Sequence, residues 1–168
     1  MGPGTRDRPA GHRGARARIR GVHLRIATRS DLPAVLALLA DEDAVTDPAS
    51  VVVSEAYEKA FADIAADARN EILVLDVEGT VVGCLQATYI PGLGKGGAER
   101  ALIEAVRIRA DRRGGGLGRR LMELAVERAR LRGCALVQLT SNRSRTDAHR
   151  FYASLGFTAS HEGFKLFL

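Results

Sequence analysis

An apolar run from Ala101 to Ile108 leads through Arg113-Gly114-Gly115-Gly116-Leu117-Gly118-Arg119 into a segment with apolar residues at Leu117, Leu121, Leu124, Ala125 and Ala129. That spacing follows one face of a helix, so the order is strand, glycine turn, helix. The order constrains the fold sharply, because the helix must pack back on the strand it has just left, which is the α/β way of burying both. It also prepares a site for anionic phosphate. Glycines have no Cβ, so backbone N–H groups can converge on an oxygen, and the first helical turn adds unpaired donors at the positive end of its dipole. Arg112, Arg113, Arg119 and Arg120 bracket the turn. A P-loop needs Lys-Ser or Lys-Thr after its last glycine, and this chain has Arg119-Arg120. The dinucleotide fingerprint needs Gly-x-Gly-x-x-Gly, which glycines at 114, 115, 116 and 118 do not make. Arg113, Gly116 and Gly118 do fit a third pattern, Arg-x-x-Gly-x-Gly.

Charge argues against nucleic acid as the partner. The formal net charge is +5, yet residues 1–22 hold six arginines against one aspartate, and the rest of the chain is neutral. Gly-, Pro- and Arg-rich and with almost nothing to bury, this leader is expected to be disordered, leaving residues 23–168 as one domain. The leader lacks the apolar centre of a secretory signal, and no run reaches the roughly 18 apolar residues of a membrane span. Cys84 and Cys134 have no metal or redox spacing and read as buried, reduced thiols, which suits the cytoplasm. No metal is expected.

Along the chain, Val22 to Ala27 alternates as a short strand, and Ser30-Asp31 starts a helix with Leu32, Val35, Leu36 and Leu39 on its buried face. The acidic cluster Asp41, Glu42, Asp43 precedes the Asp47-Pro48 break, and a second helix is expected from Val53 to Arg69. Two strands, Glu71 to Val77 and Thr80 to Ile90, flank a tight turn at Glu78-Gly79. A glycine-rich loop from Pro91 leads to the strand at 101–108, and Gly133 is the C-cap candidate of the helix that follows the turn. Cys134 to Thr140 reads as a strand, Asp147 to Leu155 as a short helix, and Phe157-Thr158 and Gly163 to Leu168 as closing strands.

Several of these motifs, in this order, resemble the GNAT superfamily of N-acetyltransferases. The strand Glu104 to Ile108 before Arg113-x-x-Gly116-x-Gly118 is similar to the family's acetyl-coenzyme A motif. Ala148-His149-Arg150-Phe151-Tyr152-Ala153-Ser154-Leu155-Gly156-Phe157 is similar to its closing motif, and Leu24 to Leu32 to its first strand and helix. The resemblance implies an α/β (α+β) domain, a mixed and mostly antiparallel sheet of about six to seven strands flanked by about four helices. It also implies an acetyl-CoA-dependent N-acetyltransferase with a small-molecule or peptide amine as acceptor. A homodimer is a further expectation, since final strands in the family often pair between subunits. Two departures stand out: the family often has Pro shortly before the Arg of the glycine loop, where this chain has Arg109 to Arg112, and Arg145 stands where many members carry Asn.

On this reading Gly114, Gly115, Gly116 and Gly118 hold the pyrophosphate through backbone, with Arg113 and Arg119 adding charge, and Val106 and Ile108 pair by main chain with the pantetheine. Either Arg145 or Asn142 replaces the usual Asn contact. An alkylamine is roughly one part in a thousand neutral at pH 7, a cost of about 4 kcal/mol that a base can offset. Glu104 is the candidate base; period two puts it on one strand face with Val106 and Ile108. Tyr152 is the candidate acid, since a phenol is protonated at pH 7 and can donate to a departing thiolate. Asp41, Glu42 and Asp43 fall where the family lines its acceptor cleft and would draw a cationic amine. Tyr89 is either pocket or strand core. His149 as base, and the cysteines as acyl carriers, are weaker readings. The alternative function is a non-catalytic acyl-CoA sensor of the same fold.

Overall fold

A computed structural model describes residues 21–40 and 45–168. Five strands form one sheet in the order β1-β2-β3-β4-β5: β1 (Val22–Ile26), β2 (Asn70–Val77), β3 (Thr80–Ile90), β4 (Arg100–Ile108) and β5 (Leu136–Leu139). The first three neighbour pairs are antiparallel and β4 runs parallel to β5. A parallel pair needs a crossover, and α4 (Leu117–Arg132) supplies it. The helices α1 (Leu32–Ala40), α2 (Glu55–Ala66), the single turn α3 (Gly94–Gly97) and α5 (Thr146–Ser154), with three short 3-10 turns, complete the described elements.

The β2–β3 hairpin closes at Glu78 and Gly79, both left-handed at φ 51° and 82°, the turn that matches strand twist. Leu73, Leu75, Leu85, Ala87, Tyr89, Ala101 and Ile103 face Leu117, Leu121, Met122, Ala125 and Ala129 of α4 in the main core. The other face of the sheet puts Val74 and Cys84 against Val35 and Leu38 of α1, with Phe61 of α2 beside them. Gly133 ends α4 at φ 89°, its N–H bonding back to Ala129 and Arg130 as a left-handed cap should.

Two ion clusters pin helices to the sheet. Arg25 of β1 reaches both Asp31, at 2.7 and 2.8 Å, and Asp76 of β2, at 3.1 and 3.2 Å. Thr28 donates its N–H and hydroxyl to Asp31 as well. At the far end of α4, Arg128 binds Glu71 in a fork at 2.5 and 2.6 Å.

Three expectations are corrected. The sheet has five strands among the described residues, not six or seven, because Phe157-Thr158 and Gly163 to Leu168 join no ladder. That tail passes the end of β5, where Arg143 pairs with Glu162 at 2.8 Å, and its Phe164, Leu166 and Phe167 are 92%, 86% and 88% exposed. The second helix is shorter than the apolar pattern suggested, stopping at Ala66, where Asp67 takes the N–H of Arg69 and the amide of Asn70 into a turn. Cys84 is buried as expected, whereas Cys134 is only partly covered. Asp41, Glu42 and Asp43, and leader residues 1–20, lie outside the described residues. Among those described, no helix is long and apolar enough to cross a membrane.

Candidate active site

The ladder between β4 and β5 runs only from Arg100↔Leu136 to Ile103↔Leu139. Past that point the chain after β5 turns away into α5, so among the described residues no strand runs beside Glu104 to Ile108 on that edge. Past Ile103 and Leu139 this edge of β4 is therefore unpaired by β5, and the chain runs on from Ile108 to the glycine turn at the start of α4.

Gly114 and Gly116 are left-handed at φ 79° and 83°, and Gly116 is the N-cap of α4 with no side chain to cap it. The first intrahelical bond at this end is Arg120 N–H to Gly116 C=O, 3.0 Å, so the amides of Leu117, Gly118 and Arg119 have no partner within the helix. A Cβ built on Gly114, Gly115 or Gly116 would meet nothing within 4 Å. These glycines thus border open space, which fits an incoming phosphate. Gly118 is different, since its Cβ would lie 3.6 Å from Phe151 and 3.7 Å from Ile108. It lets α5 and the end of β4 close on the helix start.

The arginines are partly engaged by the protein. Arg113 donates from Nε to the Ile108 carbonyl at 3.1 Å, and Arg119 reaches Ser154 Oγ of α5 at 2.8 Å. Asn142 folds its own loop, its Oδ1 taking the N–H and hydroxyl of Ser144 at 3.0 and 2.9 Å. Arg145 is the N-cap residue of α5. His149 Nε2 lies 2.8 Å from the Asn142 carbonyl. Bonding to a carbonyl needs a proton on that nitrogen, so Nε2 serves the loop as a donor, not as a base. Tyr152 is half-buried in the core under α4, its ring 5.2 Å from Phe151 and 6.0 Å from Phe157.

Glu104 is exposed on β4, but the shared face expected for it does not form. The pairing of β3 with β4 slips by one residue between Cys84↔Arg107 and Gln86↔Glu104. The extra residue is absorbed at Ala105, left-handed at φ 53°. Such a bulge reverses the in-out phase of everything after it. Val106 and Ile108 consequently pack toward α4. Glu104 and Arg107 sit opposite Gln86 and Cys84, on the α1 face. Burial pushes the Cys84 thiol up to about 12 while the nearby Arg107 charge pulls the other way, as that pairing requires. Neither the bulge nor the shared face of Glu104 and Arg107 follows from the strand's period of two. Alanine at a left-handed position leaves no sequence mark, as glycine would.

Tyr89 is 2% exposed and donates to Glu71 at 2.9 Å, with Arg132 stacked 4.1 Å over its ring. Arg132 ends α4, about 22 Å along the axis from Leu117 at 1.5 Å per residue. Burial, then the Glu71 carboxylate, push the phenol up to about 12. Tyr89 is strand core at the opposite end of the helix from the glycine turn.

A split sheet edge leading to an uncapped, glycine-opened helix start is the layout that the acetyltransferase resemblance leads one to expect. The family model of the acetyltransferase (GNAT) family matches residues 36–157, and this chain belongs to that family. Among solved structures, a transcriptional regulator from Bacillus halodurans C-125 is 41% identical, with a TM-score of 0.77 over 88% of this chain and 99% of its own. An acetyltransferase from Trypanosoma brucei is 28% identical, TM-score 0.70, over 88% and 99%. Glucosamine-6-phosphate N-acetyltransferase from Arabidopsis thaliana shares the fold at 19% identity, TM-score 0.71, over 87% and 97%. No curated protein matches the chain.

Proposed function

We propose that the protein transfers the acetyl group of acetyl-CoA to a primary amine by direct attack. The observation that carries this is the glycine-opened start of α4 at the mouth of the β4–β5 split. Backbone donors of Leu117, Gly118 and Arg119, with the guanidinium groups of Arg113 and Arg119, suit the pyrophosphate. The amide edge of Val106 and Ile108 suits the pantetheine, and Asn142 or Arg145 would close over it. Bound there, acetyl-CoA supplies an activated acetyl thioester.

Glu104, on the acceptor side of β4, takes a proton from the incoming amine directly or through water. The amine nitrogen bonds to the acetyl carbon, the carbon–sulfur bond breaks, Tyr152 gives the departing sulfur its proton, and the amide nitrogen returns its remaining extra proton to the Tyr152 phenolate, directly or through water. The alternative, an acyl-CoA-binding regulator without catalysis, draws support from the B. halodurans relative being a transcriptional regulator. A thiol-release assay over an amine panel separates the two. Turnover that falls in Glu104→Gln supports transfer, whereas tight acetyl-CoA binding with no turnover for any amine supports the sensor. The exposed apolar run Phe164, Leu166, Phe167 supports pairing of the C-terminus with a second copy, which truncation after Glu162 would reduce to a monomer in light scattering. Cysteines held in no disulfide suit the cytoplasm.

A further inference from the structure

Glu104 and Arg107 are three residues apart, which on a regular strand would put them on opposite faces. The bulge at Ala105 brings them to the same one: Glu104 lies opposite Gln86 and Arg107 opposite Cys84, two positions apart on β3. Both therefore look toward α1, away from the core beneath α4. Arg107 is half-buried and is steadied along the strand by an Nη1 bond of 3.0 Å to the Val106 carbonyl. A carboxylate and a guanidinium displayed on one face, one exposed and one partly desolvated, form a dipolar template.

Resting on the acetyl-transfer reading above, we infer that the acceptor is an amine that also carries an anionic group, carboxylate or phosphate, held by Arg107 roughly 7 Å from the amine at 3.4 Å per strand residue. Glu104 meets the amine and Arg107 meets the anion. The bulge fixes the spacing between them. An acceptor with a second cation at that distance would meet a like charge.

The test uses the full chain with 5-aminopentanoate and 3-aminopropyl phosphate, against pentylamine and 1,5-diaminopentane. The anion-bearing amines are expected to exceed pentylamine in kcat/KM by about 10- to 100-fold, the range for one hydrogen bond to a charged group. Arg107→Gln should bring that ratio near one, and Arg107→Lys should keep part of it. A purely structural arginine would lower all acceptors together and leave the ratio intact, which overturns the inference. So does equal or better use of pentylamine or the diamine by the native chain, with acetyl transfer itself still standing. If no amine releases thiol, the transfer reading fails, and calorimetry of 5-aminopentanoate with CoA present decides the inference. Binding lost in Arg107→Gln supports it, and no binding overturns it. The better substrate of the two anion-bearing amines separates carboxylate from phosphate.

Discussion

Replacing Gly83 by alanine should disturb β4, the strand proposed to hold acetyl-CoA, from its neighbour β3. Gly83 pairs with Ile108 on the α4 face, and a Cβ there would sit 2.6 Å from Ile108 Cδ1 and 2.9 Å from the Arg107 carbonyl. Both distances are shorter than real contacts. The Ile108 methyl is the end of a side chain and can swing aside, whereas the Arg107 carbonyl can move only with the strand. Overpacking of this kind costs about 1–3 kcal/mol. Ile108→Val removes the first obstacle and alone costs about 0.5–1.5 kcal/mol. The double variant should then be less destabilised than the sum, by about 1 kcal/mol, but not restored, since the backbone contact persists. Urea unfolding measures the four stabilities, and calorimetry with acetyl-CoA reads the displacement of residues 106–108 as weaker binding. Gly83→Ala within about 0.5 kcal/mol of the native chain, with unchanged acetyl-CoA affinity, would refute the reasoning.

Tyr152→Phe should lower kcat by about 100-fold or more while acetyl-CoA affinity stays within twofold, as measured by thiol release and calorimetry. Arg119→Ala should raise the KM for acetyl-CoA about 10- to 100-fold and flatten its dependence on salt, whereas Ser154→Ala, which removes the hydroxyl's bonds to Arg119 and to the Phe151 carbonyl but keeps the Arg119 contact with the Ser154 carbonyl, should leave KM nearly unchanged. The Arg25 guanidinium holds the Asp31 carboxyl at about 2, below its ordinary 3.8. A depressed carboxyl stabilises the fold above its unfolded value and loses that contribution as pH falls toward 2. Because Arg25 is partly exposed, the contribution is about 1–2 kcal/mol, so Asp31→Asn should be less stable than the native chain by that amount at pH 7. The gap should close in urea titrations between pH 4 and 2.

The fold was readable where local chemistry and tertiary packing agree. Glycines at 114 to 118 followed by apolar residues at helical spacing located α4 and its N-terminus, and Glu78-Gly79 located a hairpin whose two positive φ values leave few alternatives. Strand faces were less legible. Period two holds only while the ladder is regular, and one left-handed alanine moved Glu104 to the side opposite Val106. The apolar alternation of Gly163 to Leu168 satisfies every local requirement of a strand, but a strand also needs an edge to pair with, and that is not written in the segment itself. Tyr89 shows the same limit, since only three dimensions place it under Arg132 at the distant end of α4.

The four rungs joining β4 to β5 act as the clasp of an otherwise open fan. Widening the mouth breaks no rung, because beyond Ile103 and Leu139 there is none to break. A long flexible guest of the kind proposed above would enter there without peeling strands apart. Contacts that span the mouth include Phe151 beside Gly118 and the bonds from Arg119 to the Ser154 hydroxyl and carbonyl. The stiffness of the cleft is therefore set in part by residues that belong to neither strand.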